Sequence, residues 1–268
     1  MGANDLDFFS GPCSRFPLYL FPVLSGTAMT GKKDAASIGA GRGIILIFVN
    51  SKVVPQQIHF LGKELWFPPV SETHPSGIIA VGGDLSTERL LLAYNSGIFP
   101  WFEDGEPITW WSPDERMVLF PEDFKPSKSM RNILNRKIFK VTFNQNFREV
   151  ISNCQTIKRE GQNGTWITDD MIAAYCELHE QGHAKSVEVW QNDELVGGLY
   201  GIDLGHVFCG ESMFSKVSNA SKVAFVSLVN YLKENNYLLL DCQVYNEHLE
   251  SLGCGEIDRE DFLAVLKM

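Results

Sequence analysis

No run of 18 apolar residues occurs in this chain of 268, so no segment reads as a membrane-crossing helix. The stretches Phe16 to Leu24 and Ile44 to Val49 are apolar but short, and Pro17 and Pro22 break the first. Asp5 and Asp7 spoil the basic start that an export signal needs, which points to a cytoplasmic protein. Cysteine pairs at metal-binding spacing are also missing. Cys13, Cys154, Cys176, Cys209, Cys242 and Cys254 lie far apart with no C-x-x-C among them. No metal site is therefore expected, and buried free thiols in a reducing compartment are. Basic residues are in short supply: 23 Lys and Arg face 33 Asp and Glu, a net charge of −10. The whole surface has no general attraction for a polyanion, so any nucleic-acid contact needs a local basic patch. No internal repeat is evident.

What is present is an ordinary globular composition, 44% hydrophobic and 21% charged, enough for one large domain or two modest ones. Residues 1–55 mix Gly, Ser, Pro and Ala with short apolar runs and no sustained period. They are expected to be an appended, poorly ordered segment, the product of an upstream start codon. From Trp66 the pattern changes. Gly77-Ile78-Ile79-Ala80-Val81-Gly82-Gly83-Asp84 reads as a strand and glycine turn. Ser86 is placed to cap a helix through Tyr94, which Gly97 ends. Residues 56–117 are thus expected to form a small N-terminal α/β domain.

The remainder, 118–268, alternates helices and strands. A short helix is expected over Ser129 to Asn135. Thr168 should cap another, with Met171, Ile172, Tyr175 and Leu178 on one face and Gly182 as its stop. Strands are expected at Ser186–Trp190, Glu194–Ile202, His206–Gly210 and Tyr237–Val244, and a helix from about Asn219 to Asn235. Such a mixture implies an α/β (α+β) fold with one mixed central sheet.

Three local features exceed background. Lys125, Lys128, Arg131, Arg136, Lys137 and Lys140 put six cations into sixteen residues with no acid among them. That is either a solvated helix face or a seat for a strand of phosphates. Trp101, Trp110, Trp111 and Trp166 crowd near turns. Any one of them is an ordinary packing residue or a ring offered to a nucleobase. Finally, Glu211 and Asp241 each stand at the end of an apolar strand. A carboxylate there is costly unless it is paired or used, and alternation puts Asp241 and Gln243 on one side. Each acid is either a structural strand-end group or a working one.

At these residues the sequence resembles the leucyl/phenylalanyl-tRNA–protein transferase family. The matching runs include Val81-Gly82-Gly83-Asp84-Leu85, Gly97-Ile98-Phe99-Pro100-Trp101-Phe102, Trp110-Trp111-Ser112-Pro113 and Gly164-Thr165-Trp166-Ile167-Thr168. They continue through Glu194 to Gly201, Phe208-Cys209-Gly210-Glu211-Ser212-Met213-Phe214-Ser215, Asn219-Ala220-Ser221-Lys222 and Asp241-Cys242-Gln243-Val244. They stand in the family's order from about Trp66 onward. One departure is Asp258, where the family carries a proline.

The resemblance implies a small N-terminal domain and a GNAT-like acyltransferase domain. It further implies transfer of Leu, Phe or Met from aminoacyl-tRNA (Leu-tRNA, Phe-tRNA, Met-tRNA) to proteins with N-terminal Arg or Lys, which marks them as N-degrons for proteolysis. Carried over residue by residue, Trp101 and Trp166 hold the terminal adenosine. Leu199, Phe208, Met213 and Leu240 wall a pocket for the amino-acid side chain. Glu211 and Asp241 bind the acceptor's basic residue and amine, and Gln243 orients the amine while Asp241 polarises it. Lys128, Arg131, Arg136, Lys137 and Lys140 seat the acceptor stem. No cofactor is implied. The chain adds its own argument against CoA. Where a CoA-dependent relative has a glycine-rich phosphate loop, this one reads Ser215-Lys216-Val217-Ser218-Asn219-Ala220, with no backbone cradle for a pyrophosphate.

Overall fold

The computed structural model of the chain describes residues 58–157 and 165–268. The expectation of poor order over 1–55, Cys13, and Gly164 of the quoted motif lie outside the described residues. β1 (His59–Leu61), β2 (Ile78–Gly82), β3 (Phe99–Pro100) and β4 (Thr109–Trp111) form a four-stranded sheet in the order β1-β2-β4-β3. Helix α1 (Thr87–Asn95) joins β2 to β3. Its start is as expected but its cap is not: the Ser86 hydroxyl and amide both turn back onto Asp84 Oδ1, and no side chain caps the helix. Gly97, at φ +75°, ends the turn after it. The tight φ suits glycine, and an added Cβ there would lie 2.7 Å from Leu263.

The second sheet holds the rest. Its strands are β5 (Glu115–Leu119), β6 (Lys140–Phe143), β7 (Ala184–Gln191), β8 (Glu194–Asp203), β9 (Val207–Ser215), β10 (Leu239–Gln243) and β11 (Gly255–Asp258). They lie in the order β11-β5-β10-β9-β8-β7-β6. Only β9 and β10 run parallel; every other neighbouring pair is antiparallel. The mixed sheet expected from the sequence is there. Strand β5 starts before the expected boundary at 117 and pairs only within this larger sheet. A continuous buried cluster also joins Ile79, Leu90, Tyr94 and Trp110 of the N-terminal part to Tyr175, Tyr200 and Phe214.

Helices cover both faces. They are α2 (Lys128–Asn135), α3 (Phe147–Thr156), α4 (Asp169–Glu180), α5 (Ala220–Glu234), α6 (Glu247–Ser251) and α7 (Arg259–Leu266). Ser127 caps α2 by accepting the Met130 amide, and Thr168 caps α4 by accepting that of Met171. In α4 the residues expected on one face, Met171, Ile172, Tyr175 and Leu178, are all buried. Strand β8 is buried along nearly its whole length, as a central strand covered on both faces must be. Asp258, at φ −63°, precedes α7, a backbone angle that the family's proline also adopts. Five cysteines of the described residues are free and buried, as expected.

Among the described residues, no helix is long and apolar enough to cross a membrane. No cluster of His, Cys, Asp or Glu there has the makings of a metal site.

Candidate functional site

Strands β9 and β10 are hydrogen-bonded neighbours only over Leu239–Val207, Leu240–Phe208 and Asp241–Cys209. Beyond that point both continue without pairing to each other, and the polar residues sit where they part. Each strand also carries a bulge there. On β9, Tyr200 of β8 faces Ser212 and Gly201 faces Gly210, which leaves Glu211 as the extra residue. On β10, Asp241 faces Val118 and Gln243 faces Met117, which leaves Cys242 over. A bulge re-aims side chains at its own position, and it corrects two expectations. Glu211 is in the middle of β9, not at its end. The alternation expected to put Asp241 and Gln243 on one side is interrupted at Cys242, and Gln243 takes φ +65°.

What brings the three together is hydrogen bonding. Gln243 Nε2 donates to Glu211 Oε1 at 2.7 Å, and the Gln243 backbone amide donates to Asp241 Oδ1 at 2.9 Å. All three residues are buried, Asp241 completely. Asp241 receives Arg116 from β5 through a two-pronged contact, Nε to Oδ1 and Nη2 to Oδ2, both 2.8 Å. The guanidinium also donates to the Gly97 carbonyl and lies 4.8 Å from the Phe99 ring centre and 4.5 Å from that of Phe262. Burial lowers the Arg116 pKa, but the charge and hydrogen bonds of Asp241 raise it by more, so the net shift is upward. Asp241 thus has both oxygens committed inside the protein.

Glu211 has different neighbours. Tyr94 of α1 donates to Oε1 at 2.8 Å and Tyr175 of α4 to Oε2 at 3.2 Å. Burial pushes the Glu211 carboxyl up to about 7, against the hydrogen bonds from Tyr94 and Gln243 that pull it down. The unfolded chain holds this proton only below about 4.5, so the native state binds more protons between those two values. Glu211 therefore adds stability at low pH that is lost as pH rises from about 4.5 to 7. The expected result is a urea midpoint that falls from pH 4.5 to 8 in the wild type and falls less in Glu211→Gln. Equal falls in both proteins would show that this carboxyl titrates in its ordinary range.

Beside these acids lies a narrow apolar pocket whose lining includes Leu199, Met213, Leu240, Phe225, Leu228 and Glu211. Three of the four expected wall residues are there. Phe208 is not among them; its ring fills the space over Gly201, where an added Cβ would lie 2.5 Å from it. Trp101 and Trp166 are both half-buried and pack at the edge of the core cluster. Trp110 is fully buried with its indole N–H on the Gly82 carbonyl, and Trp111 gives its N–H to the Trp101 carbonyl. Those two are packing residues. All six cations from Lys125 to Lys140 are exposed: Lys125 precedes α2, Lys128 and Arg131 are on it, Arg136 and Lys137 follow it and Lys140 opens β6, while Met130 anchors the helix from its other side. A larger hollow of about 410 Å3, lined by residues such as Leu119, Phe120, Lys125 and Gly253, includes none of the other residues just described.

Arg116, Tyr94 and Tyr175 are the residues that sequence reasoning missed. Arg116 left a signal, a cation directly before the apolar run Met117 to Phe120. The two tyrosines were indistinguishable from packing residues on the apolar faces of their helices.

The chain matches the family described as leucyl/phenylalanyl-tRNA protein transferase over residues 118–267, and the N-terminal domain of the same family over 83–114. It is a transferase. It belongs to the leucyl/phenylalanyl-tRNA–protein transferase family. The member from Flavobacterium johnsoniae is 73% identical over 210 residues, which is 78% of this chain and 99% of that protein. The member from Flavobacterium psychrophilum is 68% identical over 78% of this chain and all of that protein. The member from Christiangramia forsetii is 55% identical over 78% of this chain and 100% of that one.

Proposed function

We propose that this protein moves Leu, Phe or Met from the 3′ end of an aminoacyl-tRNA to the α-amine of proteins beginning with Arg or Lys, in the cytoplasm, and so creates an N-degron. The observation that carries the reading is the set Glu211, Gln243, Asp241 and Arg116 at the parting of β9 and β10, beside an apolar pocket. The donor is an ester and the product an amide, so the reaction runs downhill and needs neither ATP nor metal. A free α-amine has a pKa of about 7.7–8.0, and a useful fraction is neutral near pH 7. The protein's tasks are then alignment and the removal of one proton.

Gln243 is the orienter. With Nε2 spent on Glu211, its carbonyl oxygen is the side-chain atom left to accept a hydrogen bond from the attacking amine. Asp241 fixes that geometry by holding the Gln243 backbone amide in its left-handed turn. Asp241 and Gln243 thus work as one unit, with Arg116 as the positioning residue behind them. Leu199, Met213 and Leu240 receive the apolar side chain of the donor, and a charged one is excluded by desolvation. Trp101 and Trp166 offer rings to the terminal adenosine, and Lys128, Arg131, Arg136, Lys137 and Lys140 contact phosphates of the acceptor stem. Asp241→Asn is expected to lower kcat by a factor on the order of 100 with little change in KM for the tRNA. An unchanged kcat would remove Asp241 from the chemistry.

A CoA donor is disfavoured by the start of α5. There the Ser221 amide is already taken by Ser215 Oγ and that of Ala220 by the Val217 carbonyl, so neither is free for a pyrophosphate. The test follows labelled Phe from Phe-tRNA to a peptide beginning with Arg, beside an N-acetylated copy. Transfer to the free peptide alone supports donor, acceptor and nucleophile together. No transfer from folded protein that still binds tRNA makes it an RNA-binding module, and acetyl transfer from acetyl-CoA makes it an acetyltransferase.

A further inference from the structure

Three oxygen-bearing groups meet in the core above β9: the hydroxyls of Tyr94 and Tyr175 and the carboxyl of Glu211. Each tyrosine contacts one carboxyl oxygen, at 2.8 and 3.2 Å, and the two hydroxyls are hydrogen-bonded to each other as well. The result is a closed ring of three oxygen–oxygen contacts. Each contact needs a proton, and two hydroxyls bring only two. If Glu211 is ionised and both tyrosines donate to it, the contact between the tyrosines sets lone pair against lone pair. One added proton closes the ring. Glu211 then donates from Oε2 to Tyr175, Tyr175 to Tyr94, and Tyr94 to Oε1.

The surroundings favour that proton. From β10 Asp241 faces Glu211 and raises its pKa further, and from β5 Arg116 lies near but is bound two-pronged to Asp241. From β9 itself comes Cys209, whose thiol burial pushes well up. Burial raises both tyrosines well above their ordinary range, and the charge of Glu211 raises them further, so neither gives up its own proton. None of these groups is an unpaired cation that would hold Glu211 ionised. Glu211 is buried and contributes to the lining of the narrow apolar pocket, so an incoming cation has to part the residues around it to reach the carboxyl.

We propose that the Tyr94–Tyr175–Glu211 ring stores one proton in the free enzyme and releases it to solvent when the cationic side chain of the acceptor arrives at Glu211. This rests on the proposed function together with the role that the family resemblance implies for Glu211, which is to bind the acceptor's basic first residue. The balance is simple: the neutral ring plus a guanidinium or ammonium gives an ion pair plus one proton in water. Acceptor binding is then proton-linked. It tightens about tenfold per pH unit while the ring is full and becomes flat once the ring is empty. An acceptor with an uncharged first side chain has nothing with which to displace the proton, which makes the ring a filter for a basic N-terminus.

The test is calorimetry on the full chain with a peptide whose first residue is desamino-arginine, which carries the cation but no α-amine to titrate. Titrations at pH 6 and pH 8 are run in two buffers of unlike ionisation heat. Close to one proton released at pH 6, falling towards none at pH 8, is the expected result. In the free protein, infrared difference spectra should show a protonated carboxyl band that fades as pH rises through about 7 and is missing in Glu211→Gln. Binding without proton exchange at pH 6, or no such band, overturns the proposal and leaves the transfer reaction untouched. A probe that fails to bind the wild type, or binds Glu211→Gln as tightly, overturns the reading beneath it instead.

Discussion

Arg116→Met is expected to cost about 3–5 kcal/mol of folding stability, measured by urea unfolding, and to abolish transfer. The cause is Asp241. That carboxylate has no exposure to water and takes two hydrogen bonds at 2.8 Å from the guanidinium. Without the cation the buried charge keeps only neutral partners such as the Gln243 amide and the Cys209 thiol. Arg116→Lys keeps the charge but loses the fork and the flat stacking against Phe99 and Phe262, so an intermediate loss is expected. The double variant Arg116→Met with Asp241→Leu separates fold from chemistry. Replacing a buried ion pair by apolar groups is often close to neutral for stability. Much of the lost stability should therefore return, while kcat stays low because nothing holds Gln243 in its left-handed turn. A loss below about 1 kcal/mol in Arg116→Met would mean that water reaches Asp241 and that the pair is not desolvated.

How far the sequence could be read depended on whether a signal was local. The helix under Thr168 was legible because its cap, its acidic first turn and its glycine stop all lie within fifteen residues. Strands β7 and β8 were legible for the same reason. Glu211 and Asp241 stood out as carboxylates in apolar runs, and the basic cluster as a reversal of the overall charge. The bulges were not legible. An extra residue on β9 shows only in its register against β8, the strand before it, which no residue type announces, and one on β10 only in its register against β5, far earlier in the chain. Period-two reasoning therefore runs straight through Cys242, where the pleat breaks. The partners of the acids were hidden likewise: Arg116 is 125 residues from Asp241, and Tyr94 is 117 from Glu211. A tyrosine on an apolar helix face looks the same whether its hydroxyl meets water, a carbonyl or a buried carboxyl.

The two acids occupy adjacent strands within one network and have opposite environments. Asp241 is matched by a fixed internal cation, whereas Glu211 is surrounded by neutral donors. Groups whose surroundings set them apart in this way can divide their work. A pre-neutralised carboxylate suits a geometric role that must not change with pH or ligand. A carboxyl among neutral hydroxyls responds to any charge brought near it. Tyr94 ties that response to the N-terminal part of the chain, since it is on α1, while Tyr175 comes from α4 of the larger part.

Neutralising Lys128, Arg131 and Arg136 together, each to Gln, is expected to weaken aminoacyl-tRNA binding by about 100-fold at physiological salt. Each phosphate contact contributes a unit or slightly less to the slope of log K against log salt, which at about 0.15 M is worth roughly a factor of five. Three contacts multiply, and the slope itself should flatten by about 2–3 units. All three side chains are exposed on α2 or at its end, and the helix is held by Met130 and the Ser127 cap, which the substitutions leave alone. Stability should therefore change little, and the loss should appear in donor affinity and hardly in kcat at saturating tRNA. Because phosphate contacts carry no base information, the loss should be similar for Leu-tRNA and Phe-tRNA. An unchanged salt slope would return the cluster to a solvated helix face. A loss confined to one tRNA would mean that these residues read bases or a particular stem shape, and that selection of the donor does not rest on the amino acid alone.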